Sequence, residues 1–164
     1  MSVQVTLYAD GSALGNPGAG GYGVVLLSGI HKREISEGFR LTTNNRMELL
    51  GIITGLEALK GEGFEVTIYS DSKYVVDAVN KGWLWGWERI NFKAKKNPDL
   101  WQRFLVIYRR HNIRMIWVKG HADNEWNNRC DELAVAAAKT RPTSIDVGYD
   151  YAGLGASGGS ETLL

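Results

Sequence analysis

Apolar and polar positions alternate through Val3-Gln4-Val5-Thr6-Leu7-Tyr8-Ala9, and the run closes on Asp10-Gly11. A period of two marks a half-buried strand. Residues 11–21, rich in glycine with Asn16-Pro17, read as turn; residues 22–27 make a second strand, and Ser28-Gly29 reads as a short hairpin turn. Residues 32–41 make a third. Three strands in sequence on short loops form an antiparallel meander. The period then changes. Leu49, Ile52, Ile53, Leu56 and Leu59 fall at i, i+3, i+4, i+7 and i+10, one face of a helix that Thr43 caps and Gly61 and Gly63 end. Residues 65–69 are a fourth strand. Asp71 or Ser72 opens a helix carrying Tyr74, Val75, Ala78 and Val79. Residues 100–108 are helical, 113–118 are a fifth strand, and 126–139 are a last helix with Cys130, Leu133, Ala134 and Ala137 inward.

The helix between strands three and four breaks the meander, so the fourth strand can return beside the first and run parallel to it. The expected fold is α/β: a five-stranded mixed sheet, an antiparallel meander of three strands plus two parallel strands, flanked by helices. Asp10 and Asp71 then lie at the same end of neighbouring strands, where open α/β sheets place their sites. Glu48 and Asp131 fall near helix starts. Gathered carboxylates repel one another and hold their protons unless a cation sits between them, and hard divalent ions prefer such oxygen ligands. The pattern points to a two-metal phosphoryl-transfer site. Singly, each acid reads as a surface carboxylate or a cap, and Asp71-Ser72 is also a good N-cap.

At 164 residues, 44% hydrophobic, the chain suffices for one domain. Residues 1–151 are expected to form it, and the glycine- and serine-rich residues 152–164 a tail. The net charge of +1 leaves nucleic-acid attraction to a local patch. A single cysteine, Cys130, gives no disulfide framework and suits a reducing compartment. The alternating opening without a basic start is not a signal peptide, and no apolar run reaches membrane-span length. A cytoplasmic monomer is expected. Gly18-Ala19-Gly20-Gly21-Tyr22-Gly23 matches a dinucleotide-binding pattern, but strand residues Val24-Val25-Leu26-Leu27 follow where a helix N-terminus is needed. The glycines read better as a wide loop open to a ligand's close approach.

Residues 81–96 hold three of the six tryptophans and five basic residues against one acid. Trp83 and Trp87 stand at i, i+4. Either they pack inward, or they belong to a protruding arm that grips a nucleic-acid strand through stacking and phosphate contacts. His121 follows Gly120 in a polar loop, where neighbouring carboxylates favour its protonated form. His31 and His111 have no such setting and read as surface residues.

Asp10-Gly11-Ser12, Gly15-Asn16-Pro17-Gly18, Thr42-Thr43-Asn44-Asn45-Arg46-Met47-Glu48-Leu49, Ser70-Asp71-Ser72, Asp99-Leu100-Trp101, Trp117-Val118-Lys119-Gly120-His121 and Cys130-Asp131-Glu132-Leu133-Ala134 follow one another along residues 3–150. Together they resemble bacterial ribonuclease H type 1. The resemblance implies the ribonuclease H-like fold and an endonuclease that cleaves the RNA strand of RNA–DNA hybrids, leaving 5′-phosphate and 3′-hydroxyl ends. It implies two Mg2+ ions, with Mn2+ as a possible substitute, held by Asp10, Glu48, Asp71 and Asp131. His121 matches the assisting loop histidine. Asn16, Asn44 and Asn45 match hybrid contacts, and Thr43 and Asn97 a DNA-phosphate pocket. Trp83, Trp87, Phe92, Lys95 and Lys96 fall in the basic protrusion. Phe92 stands where tryptophan is usual, and Leu41 where arginine is. A DNA-cutting nuclease of the same fold and a silent hybrid-binding module are the alternatives; Thr42–Glu48 argues against the first and the intact four acids against the second.

Overall fold

A computed structural model describes residues 2–120 and 123–151. Its elements follow the order β1 (Gln4–Ala13), β2 (Gly18–Ser28), β3 (His31–Thr42), α1 (Asn44–Glu57), β4 (Glu65–Ser70), α2 (Lys73–Asn80), α3 (Trp83–Arg89), α4 (Pro98–Tyr108), β5 (Asn112–Trp117) and α5 (Glu125–Lys139). The sheet order is β3-β2-β1-β4-β5. β1 pairs antiparallel with β2, and β2 with β3; β4 runs parallel to both β1 and β5. The mixed sheet expected from the hydrophobic pattern is the one observed. Tyr8 sits opposite Tyr69 at the end of the parallel pairing, so Asp10 and Asp71, each two residues further on, lie at the same level, Asp10 still in β1 and Asp71 just past β4.

Local chemistry explains the helix starts. Thr43 Oγ1 accepts the Arg46 N–H, and Ser72 Oγ accepts the Val75 N–H, each satisfying a donor of the first turn. Three expectations are corrected. β1 and β2 extend through much of the stretch expected as turn, so the connecting loop is only residues 14–17 and the next turn is residues 29–30. Residues 18–23 therefore form strand throughout and not the wide loop expected of these glycines, and no helix follows them, as the disfavoured dinucleotide reading would need. α1 ends at Glu57 rather than at Gly61: the Ala58 N–H still bonds Thr54 O at 3.0 Å, but the Leu59 N–H tightens to Leu56 O at 3.1 Å, closing the last turn.

The glycines have a packing reason. A Cβ on Gly11 would overlap Glu48 N and Met47 C at the start of α1. A Cβ on Gly23, which pairs with Asp10 across the sheet, would overlap Cys130 O of α5. Only glycine lets main chain touch main chain here. α1 is thereby seated against the end of β1, and α5 against β2. The core between α1, α4 and the sheet is dry: Leu7, Val24, Ile53, Ile68, Trp101 and Phe104 are at most 0% exposed. Fully burying each such side chain contributes about 1.5–3 kcal/mol.

His111 is not a surface residue. It is 8% exposed, its Nδ1 accepts the Phe64 N–H at 3.2 Å, and its ring lies 5.2 Å from that of Phe64. Burial lowers its pKa below the ordinary 6.5. His121 and the tail 152–164 lie outside the described residues. Among the described residues no helix is long and apolar enough to cross a membrane.

Candidate active site

Asp10 sits at the buried level of β1, 4% exposed, with Oδ1 accepting the Gly11 N–H at 2.9 Å. Glu48 is the fifth residue of α1, delivered to Asp10 by the contact at Gly11. Asp71 follows β4 and is held on both flanks: Ser70 Oγ accepts the Ser72 N–H at 3.1 Å, and the Trp117 indole N–H donates to Asp71 O at 3.1 Å. One oxygen from each of Asp10, Glu48 and Asp71 lies within 4.8 Å of the others. Asp131, on α5, lines the same open cleft of about 490 Å³. Four carboxylates, from β1, α1, the β4–α2 connection and α5, thus converge, as the sheet topology required.

Their electrostatics are those of crowded anions. Burial pushes the Asp10 carboxyl from 3.8 up to about 7; the hydrogen bond with Glu48 works against this, and Asp71 adds to it. Glu48 is raised well above its ordinary value, first by burial and then by Asp10. Near neutral pH the pair holds on to a proton. Glu48 Oε2 is buried with no hydrogen-bond partner among the described residues. An orphaned acceptor costs about 1–3 kcal/mol, more when charged. The all-oxygen donor set, the shared proton and the orphaned oxygen fit a hard divalent cation.

A second cleft, of about 450 Å³, brings together Asn16, Thr43, Lys96 and Asn97. Asn45 lines both clefts and so marks where they meet. Asn97 stands at φ 59, ψ 41 before α4. Its Nδ2 donates to Tyr74 Oη at 3.0 Å, and its Oδ1 accepts from Arg46 Nη1 at 3.3 Å. Asn44 Oδ1 accepts the Ala13 N–H at 2.7 Å, while Asn16 Oδ1 accepts the Asn44 N–H at 3.2 Å. Both amide oxygens are spent internally, which leaves their N–H2 groups as donors for a ligand. Leu41 is half-buried, and its neighbour Arg40 is turned away to pair with Asp150 at 2.6 Å.

The aromatic-basic stretch divides. Trp83 is 48% exposed, with Lys81 Nζ 5.3 Å from its ring. Trp87 is half-buried, edge-on to Trp101 at 5.7 Å, with Lys95 Nζ 5.4 Å from its ring. Lys95 and Lys96 are exposed. Phe92 requires correction: it is 5% exposed and packs into the core, so its ring is not offered to a strand. A positive φ of 59 turns its backbone inward after α3.

Three contributors escaped the sequence reading. Trp117 anchors Asp71 and carries Lys73 Nζ 4.6 Å from its ring. Tyr74 was counted as core, yet it lines the acidic cleft and accepts from both Asn97 and Trp101. Arg46 is 1% exposed between Asp99 and Asp146, at 2.7 Å from each. Only the Trp117 and Arg46 motifs themselves gave any signal; their partners are far away in sequence.

A mixed sheet with carboxylates gathered around the ends of its central parallel pairing defines an α/β fold with an acidic site of the kind that holds a divalent cation. Comparison with known proteins narrows this. A ribonuclease H family model matches residues 2–139. Ribonuclease H of Syntrophus aciditrophicus is 55% identical over 151 residues, spanning 89% of this chain and 87% of that protein. The structure of LC9-RNase H1, a type 1 RNase H with the type 2 active-site motif, aligns at TM-score 0.77 and 34% identity, over 84% of this chain and 73% of that one. LC11-RNase H1, solved in complex with RNA/DNA hybrid, aligns at TM-score 0.61 and 27% identity, over 82% of this chain and 96% of that one. The chain belongs to the ribonuclease H family, hydrolases that act on RNA in RNA–DNA hybrids.

Proposed function

We propose that this chain is an endonuclease that hydrolyses the RNA strand of RNA–DNA hybrids by a two-metal-ion mechanism, leaving 5′-phosphate and 3′-hydroxyl ends. The observation that carries it is the convergence of Asp10, Glu48 and Asp71 within 4.8 Å, in a cleft that Asp131 also lines. These four carboxylates would hold two Mg2+ ions, or Mn2+ in their place. Bound there, the ions supply Lewis-acid stabilisation of the scissile phosphate and a nucleophilic water at neutral pH.

The remaining work falls to the protein. Asp10, central on the sheet and buried, would be a ligand in that set. Asn16, Asn44 and Asn45 present amide donors beside the acids, suited to a minor groove edged with 2′-hydroxyls. Thr43 and Asn97 line the adjoining cleft with Lys96, and that cleft takes a phosphate of the DNA strand. Trp83, with Lys95 and Lys96, extends the grip on the backbone, and Trp87 does so through the ammonium seated over its ring. Phe92 acts only by holding the arm in place. His121 assists water orientation or product release. Residues 1–151 are the catalytic unit and 152–164 a dispensable tail. We place the enzyme in the cytoplasm as a monomer; the free, buried Cys130 suits a reducing compartment.

The test is a strand-labelled hybrid incubated with Mg2+, beside DNA and RNA duplexes of the same sequence. Shortening of the RNA strand alone, abolished by chelator and by 2′-deoxy substitution around the cut, is the expected result. Equal cutting of the DNA duplex refutes the reading.

A further inference from the structure

The segment after α5 lies beyond the residues that the family model matches, yet it is fastened to the substrate face. The Arg40 N–H donates to Ser144 O at 3.0 Å, and its guanidinium grips Asp150 at 2.6 and 3.2 Å. Thr42 Oγ1 donates to Asp146 at 2.7 Å. Arg46 donates to Asp146 at 2.7 and 3.0 Å and, with its outer nitrogens, to Asp99 at 3.0 and 2.7 Å. Asp146 and Asp150 are both buried. Charge-assisted bonds of this kind, closed off from water, hold a segment in one place.

What they hold there is a wall of the second cleft. Gly148 and Tyr149 line it together with Thr43 and Asn97. The Tyr149 ring lies 5.6 Å from the Arg46 guanidinium carbon, a cation–π contact that fixes the ring. Its hydroxyl makes no hydrogen bond among the described residues, whereas the hydroxyl of Tyr151 donates to Gly148 O at 3.1 Å. The cleft has use for a donor. One amide hydrogen of Asn97 is already spent on Tyr74, and both oxygens of Asp99 are spent on Arg46.

We propose that Tyr149 is a substrate-binding residue, whose hydroxyl donates to a phosphate oxygen of the DNA strand in the Thr43–Asn97 cleft. Residues 140–151 are the positioning element that brings it there. The inference rests on the hybrid-cleaving function proposed above.

Tyr149→Phe isolates the hydroxyl, because phenylalanine keeps the ring over Arg46. A hydrogen bond to a charged group corresponds to roughly a tenfold or larger change in binding. KM for the hybrid should therefore rise at least about tenfold with kcat within about twofold and the melting temperature unchanged. Hybrids with a single neutral methylphosphonate walked along the DNA strand locate the partner. At one position wild type and Tyr149→Phe should converge to the same KM. A wild-type KM for Tyr149→Phe, or a KM ratio that stays constant at every methylphosphonate position, overturns the proposal. Failure of the wild-type protein to cut the unmodified hybrid overturns instead the function on which it rests.

Discussion

Asp10→Asn should make the metal-free protein more stable, and only at pH values where the carboxylates are ionised. The Asp10 carboxyl is lifted from 3.8 to about 7 in the fold. The unfolded chain releases this proton near 3.8, while the native state keeps it to about 7. Between those values the native state binds more protons, so stability falls as pH rises. At about 1.4 kcal/mol per tenfold change in proton affinity, the native state carries a cost of roughly 4 kcal/mol once pH exceeds 7. Asparagine has no proton to lose and keeps an oxygen for the Gly11 N–H. In chelator at pH 8 the variant should gain about 2–4 kcal/mol, since Glu48 then also ionises more readily. For a chain of this size that is a rise of roughly 5–15 °C in melting temperature. At pH 4 the gain should nearly vanish. Thermal unfolding by circular dichroism at pH 4, 6 and 8 measures it, and hybrid cleavage by the same variant should be abolished with binding retained. An equal shift at pH 4 and pH 8, or destabilisation at pH 8, would refute the electrostatic account.

Replacing Lys95 and Lys96 with glutamine should raise KM with little change in kcat, and reduce the slope of log affinity against log salt by roughly 0.7–0.9 per lost phosphate contact; an unchanged slope means the arm does not meet the backbone. Phe92→Ala should cost about 3–5 kcal/mol of stability in urea titration, the range for emptying a buried aromatic site; a cost under about 1 kcal/mol would return Phe92 to the surface. His121→Ala should slow turnover by up to about 10²-fold without eliminating it, because the carboxylate site stays intact. Comparing its single-turnover and steady-state rates separates water orientation from product release, and a loss as complete as in Asp10→Asn would make His121 a ligand.

The parts of the fold legible in the sequence were those that local physics dictates. Alternation ending at Asp10 and at Asp71 marks strands whose ends carry acids, and the intervening helix pattern is enough to bring those ends together. Thr43 and Ser72 announce their helices because a short polar side chain can satisfy a first-turn N–H. Glycine misled twice. Residues 11–13 and 18–21 read as turn because glycine lacks strand propensity, yet they are strand, with Gly11 against α1 and Gly21 against α5 too closely for a side chain. His111 read as surface because polarity was judged without the Phe64 ring and N–H that cover it. The bonds from Arg46 to Asp99 and Asp146 span 53 and 100 residues, and no local pattern encodes a partner at that distance. Phe92 was misplaced because its burial depends on a left-handed backbone that composition does not signal.

The contacts at Gly11 and Gly23 act as hard stops. A packed side chain can change rotamer and absorb a methylene, but main chain against main chain has no such slack. The attachment points of Asp10, Glu48 and Asp131 are therefore gauged by atoms that every residue shares. Exchanges among the aliphatic residues beneath, such as Leu7, Val24 or Ile53, change how well the interior is filled and leave that gauge untouched. Stability and the spacing of the acids become separately adjustable quantities. The core can drift in volume by a methyl group here or there, while the spacing among the acids holds its calibration.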